Sequence, residues 1–162
     1  VGSEMCIRDR IKMARLQQNI SRVIIVKIDR FTNWEYPNIE DGKPTKYNWI
    51  VQNLDGLKLG FKTDIGAFSY INAKKGVIIE NEVQIGSHCS IYSISTIDDT
   101  AGEVVLKENC KIGSHTTILP GVTIGRNSII GANSLVNKNI PSNVIAFGVP
   151  AKVIKKIENV KL

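Results

Sequence analysis

The sequence predicts an all-β solenoid, a three-sided prism of stacked coils, on three observations. An aliphatic residue recurs every six positions: Leu59, Ile65 and Ile71; then Ile79, Ile85, Ile91 and Ile97; then Leu106, Ile112, Ile118, Ile124, Ile130 and Val136. Glycine often follows it, at Gly60, Gly66, Gly86, Gly113, Gly125 and Gly131. Four places after it stands a small or β-branched residue, at Thr63, Ser69, Val83, Cys89, Ser95, Cys110, Thr116, Val122, Ser128 and Ser134. A lone strand repeats every two residues and a helix every 3.6, so a period of six fits neither. It fits a coil of three short strands, each about six residues with its turn, so that about eighteen residues complete one coil.

In such a prism the aliphatic side chain points inward and stacks on its counterparts above and below. The small residue fills the corner beside it, and glycine relieves the tight turn. Two interruptions break the step. Two extra residues lie between Ile71 and Ile79, around Lys74–Lys75–Gly76, and three lie between Ile97 and Leu106, in the polar stretch Asp98–Glu103. A coil cannot widen, so each insertion must leave at a corner. Such loops are usual sites of function, the other reading being a bulge without a role.

The flanks are aperiodic. The leading VGSEMCIRDR resembles a translated sequencing-adapter leader, with Met13 as the expected native start, so residues 1–12 are set aside. Residues 13–58 are expected to form a cap: Val23–Ile28 reads as a strand, and a polar run follows with Trp34, Tyr36, Tyr47 and Trp49 interspersed. Covering the open end of the first coil is the first reading of this segment, and an aromatic wall for a sugar the second. The repeat domain is expected over 59–150, where Pro141 and Pro150 end the coil, and 151–162 form a tail in which Ile154–Leu162 close the other end.

With 43% hydrophobic and 22% charged residues the composition is that of a soluble globular protein. No apolar run approaches the roughly 18 residues of a membrane helix, and no secretory signal is legible, so a cytoplasmic location is expected. The net charge of +6 is scattered, densest at Lys152, Lys155, Lys156 and Lys161, with Lys12, Arg15 and Arg22 at the other end. With ten aromatics and no recognised motif it does not read as a nucleic-acid surface. Cys6, Cys89 and Cys110 have no metal-ligand spacing, and the latter two read as small buried thiols of a reduced compartment.

The run from Ile112 to Ile157, IGSHTTILPGVTIGRNSIIGANSLVNKNIPSNVIAFGVPAKVIKKI, resembles the galactoside and maltose acetyltransferase group of hexapeptide-repeat acyltransferases. It is closer still to acyltransferases of surface-polysaccharide gene sets. The similarity covers about residues 59–157, and the GVPAKVI ending is the part most specific to members that use coenzyme A. The resemblance implies a left-handed parallel β-helix, a homotrimer with active sites between neighbouring prisms, and acetyl-coenzyme A as co-substrate. Residue by residue, Ser114 matches a serine near the thioester carbonyl, and Ala132 a residue whose backbone N–H meets the pantetheine arm. Asn137 and Lys138 match a Thr–Lys pair lining the cofactor groove, and Lys152 and Lys155 two basic residues near the nucleotide. Lysines suit a 3′-phosphoadenosine diphosphate, which is strongly anionic, although a solvated basic tail has the same composition.

The chain departs from that group where the main loop leaves the prism. A catalytic histidine is expected there, and Ser95–Thr96–Ile97–Asp98–Asp99 contains none. Transfer to a hydroxyl needs a base, whereas a neutral amine needs one less. The histidines are His88 and His115, each in Gly–Ser–His at the same outward repeat position. If the 98–103 loop is an excursion, they stack on successive coils about one ladder spacing (~4.8 Å) apart. If Ile97 and Leu106 belong to separate strands, they fall on different corners. Stacking is favoured, with His88 the first candidate for the base, His115 the second, and base-free attack by an amine the third. Asn72, Asp98 and Asp99 are the candidates for holding the acceptor.

The expected activity is thus O- or N-acetyl transfer to a sugar or nucleotide-linked amino sugar in surface polysaccharide synthesis. A zinc carbonic anhydrase on this prism would need three histidines, and the ligand count fails. A non-catalytic assembly module, or an ice-binding face, would leave the coenzyme A-type ending unexplained.

Overall fold

A computed structural model describes residues 31–157 of the chain. Short strands wind into coils with three faces. The first face stacks β1 (Ile50–Gln52), β4 (Tyr70–Asn72), β7 (Ser90–Tyr92), β10 (Thr117–Ile118) and β13 (Leu135–Val136) in parallel. The second stacks β2 (Leu57–Leu59), β5 (Val77–Ile79), β8 (Val104–Leu106) and β11 (Thr123–Ile124), with Ile140 bridging onto Ile124. The third stacks β3 (Asp64–Ile65), β6 (Gln84–Ile85), β9 (Lys111–Ile112), β12 (Ile129–Ile130) and β14 (Val144–Gly148). The chain then reverses, and β15 (Ala151–Lys156) pairs antiparallel with β14.

The registers carry the period into space. Val51, Ile71, Ile91, Ile118 and Val136 are partners in succession up the first face, and Ile65, Ile85, Ile112, Ile130 and Ala146 up the third. All ten are buried, so the core is one column of stacked aliphatic rungs. The small residues at Ser69, Thr116, Ser128 and Ser134 are buried too, and each hydroxyl donates to a backbone carbonyl: Gly86, Gly131, Pro141 and Gly131. A buried hydroxyl without a partner costs on the order of 1–3 kcal/mol, so these bonds are what permit a polar corner beside an aliphatic core.

One element differs from expectation. Ile97 is not a rung: it is 95% exposed at the tip of an excursion between β7 and β8, and Ser95 lies in that excursion with it. Fifteen residues separate the successive rungs Ile91 and Leu106 instead of six, so the insertion is nine residues long. A spaced isoleucine copies the period without the burial that gives the period its meaning. The segment is a tight hairpin, in which Ile94 and Ala101 form an antiparallel bridge and Ser95 N–H donates to the Thr100 carbonyl at 2.8 Å.

The two ends of the coil stack are built differently. Trp49, 2% exposed, plugs the first coil beneath Val51, and Trp34 Nε1 donates to the Thr63 carbonyl at 2.6 Å while its ring meets Tyr36 and Phe61 edge-on. At the other end β15 pairs with β14 along the edge of the third face and stays largely exposed. The strand expected at Val23–Ile28 lies outside the described residues, as do Cys6, Lys12, Arg15, Arg22 and the last part of the tail, including Lys161. No helix among the described residues is long and apolar enough to cross a membrane.

Candidate active site

The corner from the third face to the first is built twice from one sequence, Ile–Gly–Ser–His, at 85–88 and 112–115. The glycine is required by close approach: a Cβ on Gly86 would lie 2.6 Å from Ser114 N, and one on Gly113 would lie 2.4 Å from Ala132 N. The histidine takes the left-handed turn, with φ of 57° at His88 and 59° at His115, a conformation that His tolerates better than most residues. Each corner hangs on the one below, His88 N–H on the Ala67 carbonyl and His115 N–H on that of Ser87, both at 3.0 Å.

These bonds put the two imidazoles in one column. Their ring centroids are 4.7 Å apart and their planes 11° from parallel. The 94–102 hairpin leaves at a different corner, from the first face to the second, and so does not change the phase of the third-to-first corner. Of the two arrangements left open by the sequence, the stacked one holds.

Ser114 lies over Gly86, and Ala132 occupies the same position one coil higher. A shallow cavity of about 250 Å³ runs down the third face from there, lined in part by Ser114, Lys111, Gly86, Gln84 and Asp64. His88, His115 and Ser114 thus share the third-to-first corner, with Ala132 one coil above Ser114. Lys152 and Lys155 are exposed on β15 opposite Phe147 and Ile145, on the same face at its upper edge.

The remaining predicted residues are elsewhere in the single chain. Asn72, Asp98, Asp99, Asn137 and Lys138 lie along the first-to-second corner on different coils, across the first face from the histidines. The Asn72 side-chain oxygen accepts from Asn53 Nδ2 at 3.1 Å and from Lys74 N–H at 3.2 Å. Asp98 is held below the usual carboxylate range by hydrogen bonds from the side chain of Ser95 and from Thr100, whose hydroxyl donates at 2.9 Å. Asp99 takes a left-handed turn with φ 55°.

Three aromatic residues are added by the structure. Phe68 stands one coil below His88 in the ring column, with centroids 5.1 Å apart. Tyr70 and Tyr92 pack together at 5.7 Å on the outside of the first face, between the two corners. The Tyr70 hydroxyl donates to Gln52 Oε1, and burial, together with the Tyr92 phenol, pushes its pKa up. Both tyrosines neighbour a core isoleucine in sequence, and strand alternation alone marks them as outward.

Residues 103–138 match the family model described as bacterial transferase hexapeptide (six repeats). The chain carries the hexapeptide repeat. Among similar proteins, the galactoside O-acetyltransferase of Lactococcus lactis subsp. lactis (strain IL1403) is 34% identical over 122 residues, which are 66% of this chain and 57% of the relative. The maltose O-acetyltransferase of Clostridium difficile 630 superposes with a TM-score of 0.64 at 30% identity, covering 69% of this chain and 65% of that one. A galactoside acetyltransferase solved in complex with coenzyme A gives 0.57 at 30% identity, covering 68% and 60%. The chain thus spans little more than half the length of the Lactococcus relative.

Proposed function

We propose that the chain is an acetyltransferase that moves the acetyl group of acetyl-coenzyme A to a sugar or nucleotide-linked amino sugar, working in the cytoplasm as a homotrimer. The observation that carries the reading is the pair His88–His115 beside Ser114, on a prism whose third face carries a shallow cavity reaching down from Ser114 and exposed lysines at its upper edge. The galactoside and maltose enzymes to which the repeat is similar support the transferred group and the sugar acceptor. The coenzyme A complex of a neighbour supports the co-substrate.

In the reaction, one imidazole of the pair takes the proton of an acceptor hydroxyl as its oxygen attacks the thioester carbonyl. The carbon–sulfur bond breaks, and the departing thiolate of coenzyme A receives the proton. Ser114 is the side chain assigned to the thioester, and the Ala132 N–H to the pantetheine arm. Asn137 and Lys138 are assigned to the cofactor groove, and Lys152 and Lys155 to the phosphates of the nucleotide. Asn72, Asp98 and Asp99, like Asn137 and Lys138, lie across the first face from the histidines, so all five serve this site only as the contribution of a neighbouring subunit. Tyr70 and Tyr92 offer rings to a sugar on that face. A role in surface polysaccharide synthesis follows from the resemblance of the Ile112–Ile157 run.

The test is acetyl-coenzyme A turnover, followed by thiol release, over a panel of sugars and nucleotide-linked amino sugars. His88→Ala and His115→Ala are compared with the unaltered chain. Loss of about 10²-fold or more in kcat in one variant, with coenzyme A binding retained, is the expected result and names the base. Turnover retained in both variants would replace the base by direct amine attack. An unaltered chain that neither turns over nor binds coenzyme A would sink the acetyltransferase reading and move the assembly-module reading to the front.

A further inference from the structure

The column at the third-to-first corner reads, coil by coil, Asn48, Phe68, His88, His115 and Asn133, every one left-handed with φ between 56° and 62°. Asparagine at the two ends is what this backbone prefers, and histidine tolerates it. A phenylalanine does not: a bulky residue at positive φ is an outlier, and here its ring gains little burial, remaining 65% exposed. Core packing therefore does not account for Phe68. Nor does the geometry of the corner, since Asn48 and Asn133 turn the same corner without an aromatic ring. What the ring does is lie against His88, 5.1 Å away at 38°, on the side opposite His115.

We propose that Phe68 is a positioning residue, whose ring supports His88 from below and holds its imidazole parallel to that of His115. A surface histidine has broad freedom about χ2, and misplacement of a reacting group by about 1 Å can cost on the order of 10²-fold in rate. Phe68 below and His115 above thus flank the exposed His88 ring on its two sides. The proposal rests on the acetyltransferase reading for its consequence and on the ring stack alone for its mechanism.

Phe68→Asn separates the roles, because asparagine suits the left-handed corner and removes the ring. The expected result is a melting temperature no lower than that of the unaltered chain, loss of the nuclear Overhauser contact between the His88 and His115 rings, and a fall in kcat of about tenfold with KM for acetyl-coenzyme A unchanged. Phe68→Tyr keeps a ring and is expected to restore both the contact and kcat. Persistence of the histidine–histidine contact in Phe68→Asn overturns the proposal, whatever happens to kcat. Loss of the contact with kcat intact overturns it as well. If the unaltered chain has no turnover on any acceptor, the acetyltransferase reading fails, and the ring contact decides by itself whether Phe68 supports His88.

Discussion

Two columns of left-handed turns run the length of the prism, and they are used differently. At the second-to-third corner stand Lys62, Glu82, Asn109, Asn127 and Asn143; at the third-to-first corner stand Asn48, Phe68, His88, His115 and Asn133. The backbone is nearly the same, with φ between 55° and 62° throughout. In the upper coils the first column becomes an amide ladder, Asn109 Nδ2 donating to Asn127 Oδ1 at 2.9 Å and Asn127 Nδ2 to Asn143 Oδ1 at 3.0 Å. The second column gives up that ladder for a stack of rings. Asparagine satisfies the turn and bonds its neighbour at the same time, so a bulky exposed ring in its place, as at Phe68, is where a task other than stability is to be sought.

That contrast can be broken at Asn127. Asn127→Ala removes a side-chain donor and a side-chain acceptor from the ladder and leaves a residue at φ 58° for which that turn is strained. Stability measured by urea unfolding is expected to fall by about 2–3 kcal/mol, with turnover unchanged. A variant as stable as the unaltered chain would show that the ladder is ornament, and a variant with impaired turnover would show that the two columns are not separate.

The cysteines sharpen the same contrast at lower amplitude. Cys89 follows His88 and Cys110 follows Asn109, each buried at the inward corner of its column. Burial pushes both thiols up, and at Cys110 burial and the nearby charge of Glu80 bring the pKa to about 12 from an ordinary 9.0. The thiol form is favoured in the folded state, so its contribution to stability is whole below pH 9.0 and is lost as pH rises from there toward about 12. Cys110→Ala is expected to flatten the decline of the urea midpoint above pH 9.0, and Cys89→Ala to flatten it less. Equal slopes in all three proteins would remove Cys110 as the cause.

The strictly repeating parts were legible because the period and the burial have one cause. A residue such as Ile118 or Ile130 must be aliphatic because it stacks on the rungs above and below, and the sequence displays that demand directly. Ile97 was misread because spacing alone cannot tell a buried isoleucine from one at a hairpin tip. The stacking of His88 on His115 was legible only as one of two alternatives, since it depended on which corner the insertion leaves. Phe68 was missed because it interrupts nothing: the turn it occupies is set by the backbone, and its neighbour at twenty residues' distance is adjacent only once the coils are stacked. The first-to-second corner was read residue by residue, and its separation from the histidines within one chain was not, since a linear sequence does not say which corners share a face.

The smallest expected effect belongs to that corner. Asp98 is fully exposed and accepts from Ser95 and Thr100, so it orders the hairpin locally without contributing much to the prism. Its carboxyl is held below the ordinary 3.8, so the ordering is present above that value and is lost as pH falls below it. Asp98→Ala is expected to leave the urea midpoint unchanged while speeding hydrogen exchange at the Ser95 and Thr100 amides. The amides of β7 and β8, on either side, should exchange as before. Exchange unchanged at Ser95 would mean that the backbone bridge between Ile94 and Ala101 suffices to hold the hairpin. Exchange that quickens in β7 as well would mean that the excursion is part of the coil, and that an insertion at a corner of this prism is not insulated from the rungs beside it.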